Sequence, residues 1–428
     1  MKTIKMKESN EVIYYEKLDN GLEVYLYNKD SFHSNYVTFT TKFGSIYNEF
    51  IPLGESKYKK VPYGVAHFLE HKVFEQENDP QPMEFFSETG AVTNAYTTFK
   101  NTTYLFSCSN NLIRNINYLL DFVQSPYFTT ENVNEEKGII NEEINMCNDR
   151  PTDILYDEIR RNKFLNNNFK DSIIGTHKDI DEINKDILYT CYNTFYHPSN
   201  MMLFVVGNIN PEELIGVIKE NQNKKHFLSE NVIHRLKIEE PTSVAVKEQI
   251  DTMQVEMNKL IVSIKINEIL DDPQDKIKRE LALNLLFDLC FSKSSSLYNE
   301  WLEKGYINET FSASFTQERD YAFILMGGDQ DDYELLQKTI FNFIDHVQDL
   351  EIAEDDFERI KRKTIGNFIN SYNSPESIAN TFSRYYFEGI CSFDLVAYVS
   401  KMTLADINEV KRYFNKEYAS SYIVKKDK

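Results

Sequence analysis

The chain has 428 residues, of which 41% are hydrophobic and 14% aromatic, and it carries a formal net charge of −20. This length predicts two or three domains, and the apolar content is sufficient for buried cores. The acidic balance argues against nucleic acid and against an anionic membrane surface as partners, and such a balance most often simply aids solubility.

The first half of the chain alternates between strand and helix patterns. Residues 11–30 alternate around Asn20-Gly21 and predict a hairpin. Further strands are predicted at 36–43, within 92–107 and at 202–207, and helices at 64–74, 83–88, 112–123 and after Asn210-Pro211. This interleaving is typical of an α+β protein.

The second half repeats the plan after a polar, charged stretch at 219–243. Strands are predicted at 255–266, 311–315 and 322–326, and helices at 278–289 and as a pair after Gly327-Gly328. The pattern only hints at a duplication. We therefore expect an N-terminal domain over 1–222, a linker over 223–243 and a C-terminal domain over 244–428.

No part of the sequence has the pattern of a targeting or membrane segment. No stretch approaches the roughly 18 apolar residues of a spanning helix, and the N-terminal residues lack the apolar run of a signal peptide. The five cysteines are scattered, odd in number and free of C-x-x-C pairs: Cys108, Cys147, Cys191, Cys290 and Cys391. These features predict a cytoplasmic protein with no membrane insertion.

The string His67-Phe68-Leu69-Glu70-His71 lies in a predicted helix and reads H-x-x-E-H. Histidines four residues apart share one face of a helix, so both imidazoles can reach a single metal ion, with Glu70 close enough to act on its water. This is the inverzincin signature, which predicts metal-assisted hydrolysis of a peptide bond. The alternative is a helix with two half-exposed histidines and a surface glutamate.

A catalytic zinc needs a third protein ligand, and an acidic predicted helix at 135–145 offers one. Glu136 and Glu143 are seven residues apart and share a face, so one could bind zinc while the other supports the site from behind. Spacing alone does not choose among Glu135, Glu136, Glu142 and Glu143. The alternative is a solvated acidic face.

The motif and its flanks resemble the pitrilysin/insulinase family of zinc peptidases, in particular half-size bacterial members that pair with a second chain, as mitochondrial processing peptidases do. The resemblance rests on strings at 20–24, 64–71, 90–97, 136–143 and 196–201, with weaker matches at 373–379 and 403–407. It covers essentially the whole chain.

The resemblance implies a fold of two similar α/β roll domains, each an antiparallel sheet with helices packed on one face, that face each other as half of a clam-shell. It implies one Zn²⁺ per chain, bound by His67, His71 and Glu143. Glu70 would be the general base, and Glu136 would act behind the ligands. Asn94 and Ala95 would lie on a strand whose free edge pairs with the peptide substrate.

One position departs from the family pattern. Many members carry an arginine and a tyrosine, seven apart, that help to stabilise the oxyanion in the C-terminal domain. Here Tyr306 matches the tyrosine, but Asn299 stands at the arginine position. An asparagine has no charged guanidinium group that could donate two parallel hydrogen bonds. We therefore expect the chain to be the zinc-bearing subunit of a heterodimer with a homologous partner, although a homodimer is possible.

Three functions follow from these observations. The first is a zinc metalloendopeptidase that degrades peptides or processes precursors such as bacteriocin peptides. The second is a catalytically silent peptide-binding or scaffold subunit of the same family, against which the intact motif argues. The third is zinc-dependent hydrolysis of a substrate other than a peptide.

Overall fold

The computed structural model describes residues 1–5, 11–228 and 232–427, which form two compact units interleaved along the chain. The first unit consists of Met1–Met146, Ser172–Lys237 and Ser371–Phe387. The second consists of Cys147–Asp171, Ile238–Asn370 and Glu388–Lys428. Each unit contains one large sheet.

The strands and helices are numbered here in chain order. The strands are β1 (Lys2–Lys5), β2 (Val12–Lys17), β3 (Glu23–Asn28), β4 (Asn35–Thr41), β5 (Glu49–Phe50), β6 (Lys59–Lys60), β7 (Val92–Thr97), β8 (Thr102–Cys108), β9 (Met201–Gly207), β10 (Glu248–Met253), β11 (Lys259–Ile266), β12 (Ser312–Gln317), β13 (Ala322–Asp329) and β14 (Ala419–Lys426). The helices are α1 (Val65–Val73), α2 (Pro82–Glu88), α3 (Leu112–Val123), α4 (Thr130–Asn148), α5 (Pro151–Lys163), α6 (His177–Glu182), α7 (Lys185–Phe195), α8 (Pro211–Asn223), α9 (Pro273–Phe291), α10 (Ser296–Glu303), α11 (Tyr333–His346), α12 (Glu354–Ser371), α13 (Pro375–Tyr386), α14 (Leu395–Lys401) and α15 (Leu404–Val410).

The sheet of the first unit has seven strands in the order β1-β2-β3-β9-β4-β8-β7. All neighbours are antiparallel except β3 and β9, which are parallel. The central strands β4 and β9 are buried along their whole length, because helices cover both of their faces. The predicted hairpin at 11–30 is confirmed as β2 and β3, and Gly21 in its turn has a φ of +90°.

The sheet of the second unit repeats this topology with five strands in the order β10-β14-β11-β13-β12. Its one parallel pair is again at the same place, β10 with β14, followed by three antiparallel neighbours. The order matches β3-β9-β4-β8-β7 of the first sheet strand for strand. The predicted class, α+β with two similar domains, is confirmed, whereas the clam-shell arrangement stays a prediction.

Two helices each pack on a sheet whose strands are distant from them in the sequence. Helix α5 lies in the first half of the chain but packs against β11 and β14 of the second unit, through Leu155 and Ile159. Helix α13 lies late in the chain but packs on β4 and β9 of the first unit, where Ser383 and Thr38 hydroxyl oxygens are 3.3 Å apart. Hydrophobic periodicity identifies a buried face without identifying the sheet that buries it.

The two helices predicted after Gly327-Gly328 correspond to α11 and α12, but three further helices, α13 to α15, and the strand β14 follow them and were not predicted. Strand β14 occupies the second position of its sheet, beside β10 and β11. A final strand of this kind has no local sequence partner, since it is inserted between strands that lie more than 150 residues earlier in the chain.

The stretch predicted as a linker is anchored where the structure describes it. Helix α8 extends to Asn223, and Arg235 forms a β-bridge with Phe50 while its Nη2 donates to the Lys42 carbonyl at 2.8 Å. Glu240 is held by residues of the second unit. Within this stretch the chain passes from the first unit to the second between Lys237 and Ile238. The domain boundaries 1–222, 223–243 and 244–428 stay a prediction.

Candidate metal centre

The candidate site is built on α1, whose start is fixed by a glycine. Gly64 precedes the helix with a φ of +81°, and a Cβ at this position would lie 2.5 Å from the Ile174 carbonyl oxygen. Both facts require glycine. The helix then buries Phe68 and Leu69 in the core, and this sets the direction in which His67 and His71 point.

Helix α1 and helix α4 together bring three side chains to one point. The Nε2 atoms of His67 and His71 each lie 3.7 Å from Oε2 of Glu143, and the two imidazole rings are 4.6 Å apart. All three ligand atoms lie within 4.8 Å of one another, and the described residues contain no second such group. The spacing prediction for His67 and His71 thus corresponds to a real convergence, with Glu143 as the third member.

The structure distinguishes the four glutamates that the sequence left open. Glu143 points towards the two histidines, and Oε1 of Glu136 lies 2.9 Å from Nδ1 of His71. Glu135 and Glu142 are exposed. A carboxylate that holds the far nitrogen of a histidine fixes its tautomer and leaves Nε2 free for a metal. Glu136 therefore has the geometry of a supporting group.

The two histidines differ in their electrostatic surroundings. Burial, with a smaller effect from the neighbouring His71, lowers the pKa of His67 to about 3, so its ring is neutral near pH 7. Burial also acts to lower the pKa of His71, but the hydrogen bond and the charge of Glu136 outweigh it and raise that pKa. His67 is 8% exposed, and its Nδ1 has no hydrogen-bond partner among the described residues.

Glu70 lies beside this group and is held by a strand. Its Oε2 accepts a hydrogen bond of 2.6 Å from the hydroxyl of Thr97, in β7. Burial raises the pKa of Glu70, and the bond from Thr97 opposes this effect only in part. Sequence reasoning assigned no role to Thr97, although it lies within the recognised 90–97 string. Its hydrogen bond spans 27 residues, so no local spacing could reveal it.

Strand β7, which contains Asn94 and Ala95, is the edge strand of the first sheet. The N–H of Thr98 donates to the Asn101 carbonyl at 2.8 Å across the turn that follows β7. Since hydrogen-bonded and non-bonded pairs alternate in an antiparallel ladder, the N–H and C=O of Ala95 point away from β8. The Ala95 N–H is satisfied by the side-chain oxygen of Asn94 at 2.9 Å.

Tyr306 lies in the second unit, just after α10, and is half-buried. Asn299 lies within α10, and its side-chain amide donates to the carbonyls of Ser295 at 2.8 Å and Lys293 at 3.1 Å. The Asn299 amide is thus held by two backbone carbonyls that precede the first residue of α10. A role for Tyr306 in substrate binding stays a prediction.

Two imidazoles that can be neutral and one carboxylate form the donor set of a catalytic zinc site, which uses three protein ligands and one open position. The spacing of the three ligand atoms and the low pKa of His67, which keeps its lone pair available, both fit a zinc ion.

None of the helices in the described part of the chain has both the length and the hydropathy for a membrane crossing.

Comparisons with known proteins show the family of this chain. Residues 50–177 match the family model described as Insulinase (Peptidase family M16), and residues 182–364 match the model described as Peptidase M16 inactive domain. The uncharacterized zinc protease YmfH of Bacillus subtilis is 43% identical over 410 residues, which are 96% of this chain and 95% of that protein. The chain belongs to the insulinase family, peptidase family M16.

Two further relatives of this M16 chain are informative. A crystal structure described as M16-like, from Alicyclobacillus acidocaldarius, superposes with a TM-score of 0.94 at 32% identity and covers 99% of this chain and 100% of its own. The mitochondrial-processing peptidase subunit beta of Caenorhabditis elegans is 28% identical over 190 residues, or 42% of each chain.

Proposed function

We propose that this M16 chain is a zinc metalloendopeptidase that hydrolyses peptides. One observation carries the proposal. The ligand atoms of His67, His71 and Glu143 lie within 4.8 Å of one another, while the carboxylate of Glu70 lies beside them and is hydrogen-bonded to Thr97. This is a metal-binding set with a carboxylate kept apart from it. A buried histidine with a strongly lowered pKa beside a carboxylate is typical of a functional site.

Each side chain has a distinct role in this proposal. A bound zinc ion supplies Lewis-acid activation of water, which lowers its pKa from about 15.7 towards about 7. The free oxygen of Glu70, Oε1, accepts the proton of the attacking water and returns it to the leaving amine. Glu136 accepts the Nδ1–H of His71 and so holds that ring with Nε2 towards the site.

The peptide would bind in extended form along β7. The outward N–H and C=O of Ala95 offer the backbone pairing that accepts many sequences, and the Asn94 side chain must release the Ala95 N–H when a peptide docks. This mode of binding supports a peptide as the substrate rather than an ester or a small molecule.

Peptide cleavage by matched variants tests the proposal. The wild-type chain and Glu70→Gln are incubated with a panel of unstructured peptides and simple esters, and the products are identified by mass spectrometry. We expect wild type to cleave peptides, and Glu70→Gln to retain zinc but lose about 10²- to 10⁴-fold in rate. Equal peptide cleavage by both chains, or cleavage of esters alone, would contradict the proposal.

We further propose that the chain acts as the zinc-bearing subunit of a heterodimer in the cytoplasm, with a homodimer as the alternative. The Asn299 amide is neutral and donates to two backbone carbonyls, so it cannot provide the cationic oxyanion contact, and a homologous partner would have to supply it. The similarity to a chain named as a subunit supports a paired assembly.

The competing function is a peptide-binding subunit without turnover. The description of the 182–364 match as an inactive domain favours it for the C-terminal half of the chain. That match does not include His67, Glu70, His71 or Glu143, which all precede residue 182. A zinc-loaded chain that binds peptides without cleaving them, alone or with a partner, would support this alternative.

A further inference from the structure

We infer that Thr97 is a positioning residue that couples the peptide-binding edge strand to the general base. The inference rests on the proposed function, because it assigns Thr97 a role at the same site. Thr97 is the last residue of β7, and its hydroxyl donates to Oε2 of Glu70 at 2.6 Å. No other hydrogen bond to the Glu70 carboxylate is found among the described residues.

The hydrogen bond leaves the two oxygens of Glu70 unequal. Oε2 is held by Thr97, and only Oε1 remains available to accept a proton from water. A carboxylate without this restraint is a good zinc ligand in its own right, and a general base that binds the metal would fill the open coordination position that catalysis needs. The Thr97 hydroxyl therefore keeps Glu70 a base and prevents it from becoming a ligand.

The position of Thr97 in the sheet links this restraint to substrate binding. Thr97 pairs with Thr102 in β8, and the alternation that turns the Ala95 backbone outward also turns the N–H and C=O of Thr97 outward, two residues along the same edge. Its side chain meanwhile points at α1. A peptide that pairs with this edge thus contacts the backbone of the residue whose side chain aligns the base.

The Thr97 side chain also contacts a buried threonine of the neighbouring strand β8. Thr102 is fully buried and donates its hydroxyl to the Phe43 carbonyl at 2.9 Å, and its oxygen lies 3.3 Å from that of Thr97. Each hydroxyl has a single hydrogen, and these are used for Phe43 and for Glu70, so the contact between the two threonine oxygens contains no hydrogen bond. The buried Thr102 side chain therefore packs against Thr97 and limits its movement without taking the hydrogen that Thr97 donates to Glu70.

Cobalt substitution with matched threonine variants tests the inference. Wild type, Thr97→Val, Thr97→Ser and the control Thr40→Val are loaded with Co²⁺, and their visible spectra, kcat and KM are measured. Thr40→Val removes another buried hydroxyl of the same sheet, one that pairs with Thr103 at 3.0 Å away from the metal centre.

We expect Thr97→Val to weaken the visible bands, because the freed Glu70 becomes an additional metal ligand and raises the coordination number. Its kcat should fall at least about 10-fold, part of the 10²–10⁴ that a general base contributes, while KM stays within about twofold. Thr97→Ser should restore both the spectrum and kcat, and Thr40→Val should resemble wild type.

The outcomes separate this inference from the proposed function. Suppose that the wild-type chain binds cobalt and cleaves peptides, and that Thr97→Val has the same spectrum and the same kcat. This result overturns the role of Thr97 and leaves the proposed metallopeptidase function intact. A loss shared equally by Thr97→Val and Thr40→Val overturns it as well, because it points to general sheet stability. A wild-type chain that binds no cobalt overturns the proposed function together with this inference.

Discussion

Two histidines one helical turn apart meet opposite electrostatic conditions at this site. His67 is buried and kept neutral, with a pKa of about 3, whereas the Glu136 carboxylate raises the pKa of His71 despite burial. Metal binding needs both rings neutral, and a hydrogen-bonded carboxylate makes the bound imidazole more basic and fixes its orientation. The H-x-x-E-H spacing predicts the pair, but it cannot predict this asymmetry.

Glu136→Gln should weaken zinc binding about 10- to 100-fold, because the amide no longer supplies a negative charge to the Nδ1–H of His71. Zinc affinity is measured by competition with a chelating indicator. Glu135→Gln is the matched control, since it removes the same charge from an exposed neighbour on α4. Equal zinc affinity in Glu136→Gln and wild type would show that the 2.9 Å contact does not support the metal ligand.

At the level of single residues the sequence predicts the ligand types and leaves the partner contacts open. His67, Glu70 and His71 follow from spacing, because one helical turn is a local property. Glu143 and Glu136 required the family resemblance, since four glutamates share the same acidic stretch. Thr97 was not predicted at all, because its contact with Glu70 depends on how β7 packs on α1.

At the level of elements, the site depends on how α1 and α4 begin and run. Gly64 allows the chain to enter α1 beside the Ile174 carbonyl, while Gly138 lies within α4, where a Cβ would meet nothing within 4 Å. These two glycines thus have opposite physical roles. The first is required by its backbone conformation, and the second costs helix stability without a steric reason.

Gly64→Ala should lower thermal stability, since a φ of +81° costs an alanine about 1–2 kcal/mol before the clash with Ile174 is counted. Gly138→Ala should instead raise stability by about 0.5–1 kcal/mol. Both are followed by thermal unfolding of the metal-free chain. A Gly64→Ala variant as stable as Gly138→Ala would contradict the assigned entry to α1.

The stretch predicted as a linker ends near Glu240, whose carboxylate is held by several hydrogen-bond donors. Glu240 accepts hydrogen bonds from the backbone N–H groups of Leu165, Asn166 and Asn167 and from the Lys265 ammonium, at distances of 2.6–2.9 Å. Burial acts to raise the pKa of Glu240, but Lys265 and the three backbone donors outweigh it, so the pKa is lowered. The composition of the stretch predicted a solvated linker because it cannot reveal such distant partners.

The stability supplied by Glu240 should depend on pH with a definite sign. Because its folded pKa is lowered, the contribution is present above the unfolded value of about 4.3 and is lost as the pH falls through the folded value. Glu240→Gln should therefore lower the melting temperature at pH 7, and the difference from wild type should narrow as the pH falls below about 4. The exposed Glu239→Gln serves as control, and a gap that stays constant with pH would refute the assignment.

For the whole molecule, the five strands of the second sheet have the same order as five strands of the first, yet among the described residues only the first unit carries a metal-binding group. Periodicity predicted most strands of both halves but fewer than half of the helices of the second half, and the duplication was only suggested. The exchange of α5 and α13 between the halves of the chain was not predicted, because it arises from contacts between residues more than 90 apart. Non-local packing of this kind leaves no local signal.

An incomplete site should appear as a mismatch between metal content and turnover. We expect the purified chain to bind zinc but to cleave peptides slowly by itself, and the addition of a homologous chain carrying the Arg/Tyr pair to increase kcat by at least about 10²-fold, the usual worth of an oxyanion donor. Turnover with and without the partner chain is measured at equal zinc content. Full turnover of the chain alone would exclude the heterodimer.

The most direct test of the central claim is the zinc content of the purified wild-type chain beside His67→Ala, measured by elemental analysis after reconstitution at neutral pH. The account predicts one zinc per chain in wild type and loss of that zinc in the variant, because three protein ligands are needed to hold it. A wild-type chain without zinc, or a His67→Ala chain with an equal amount, would contradict the account.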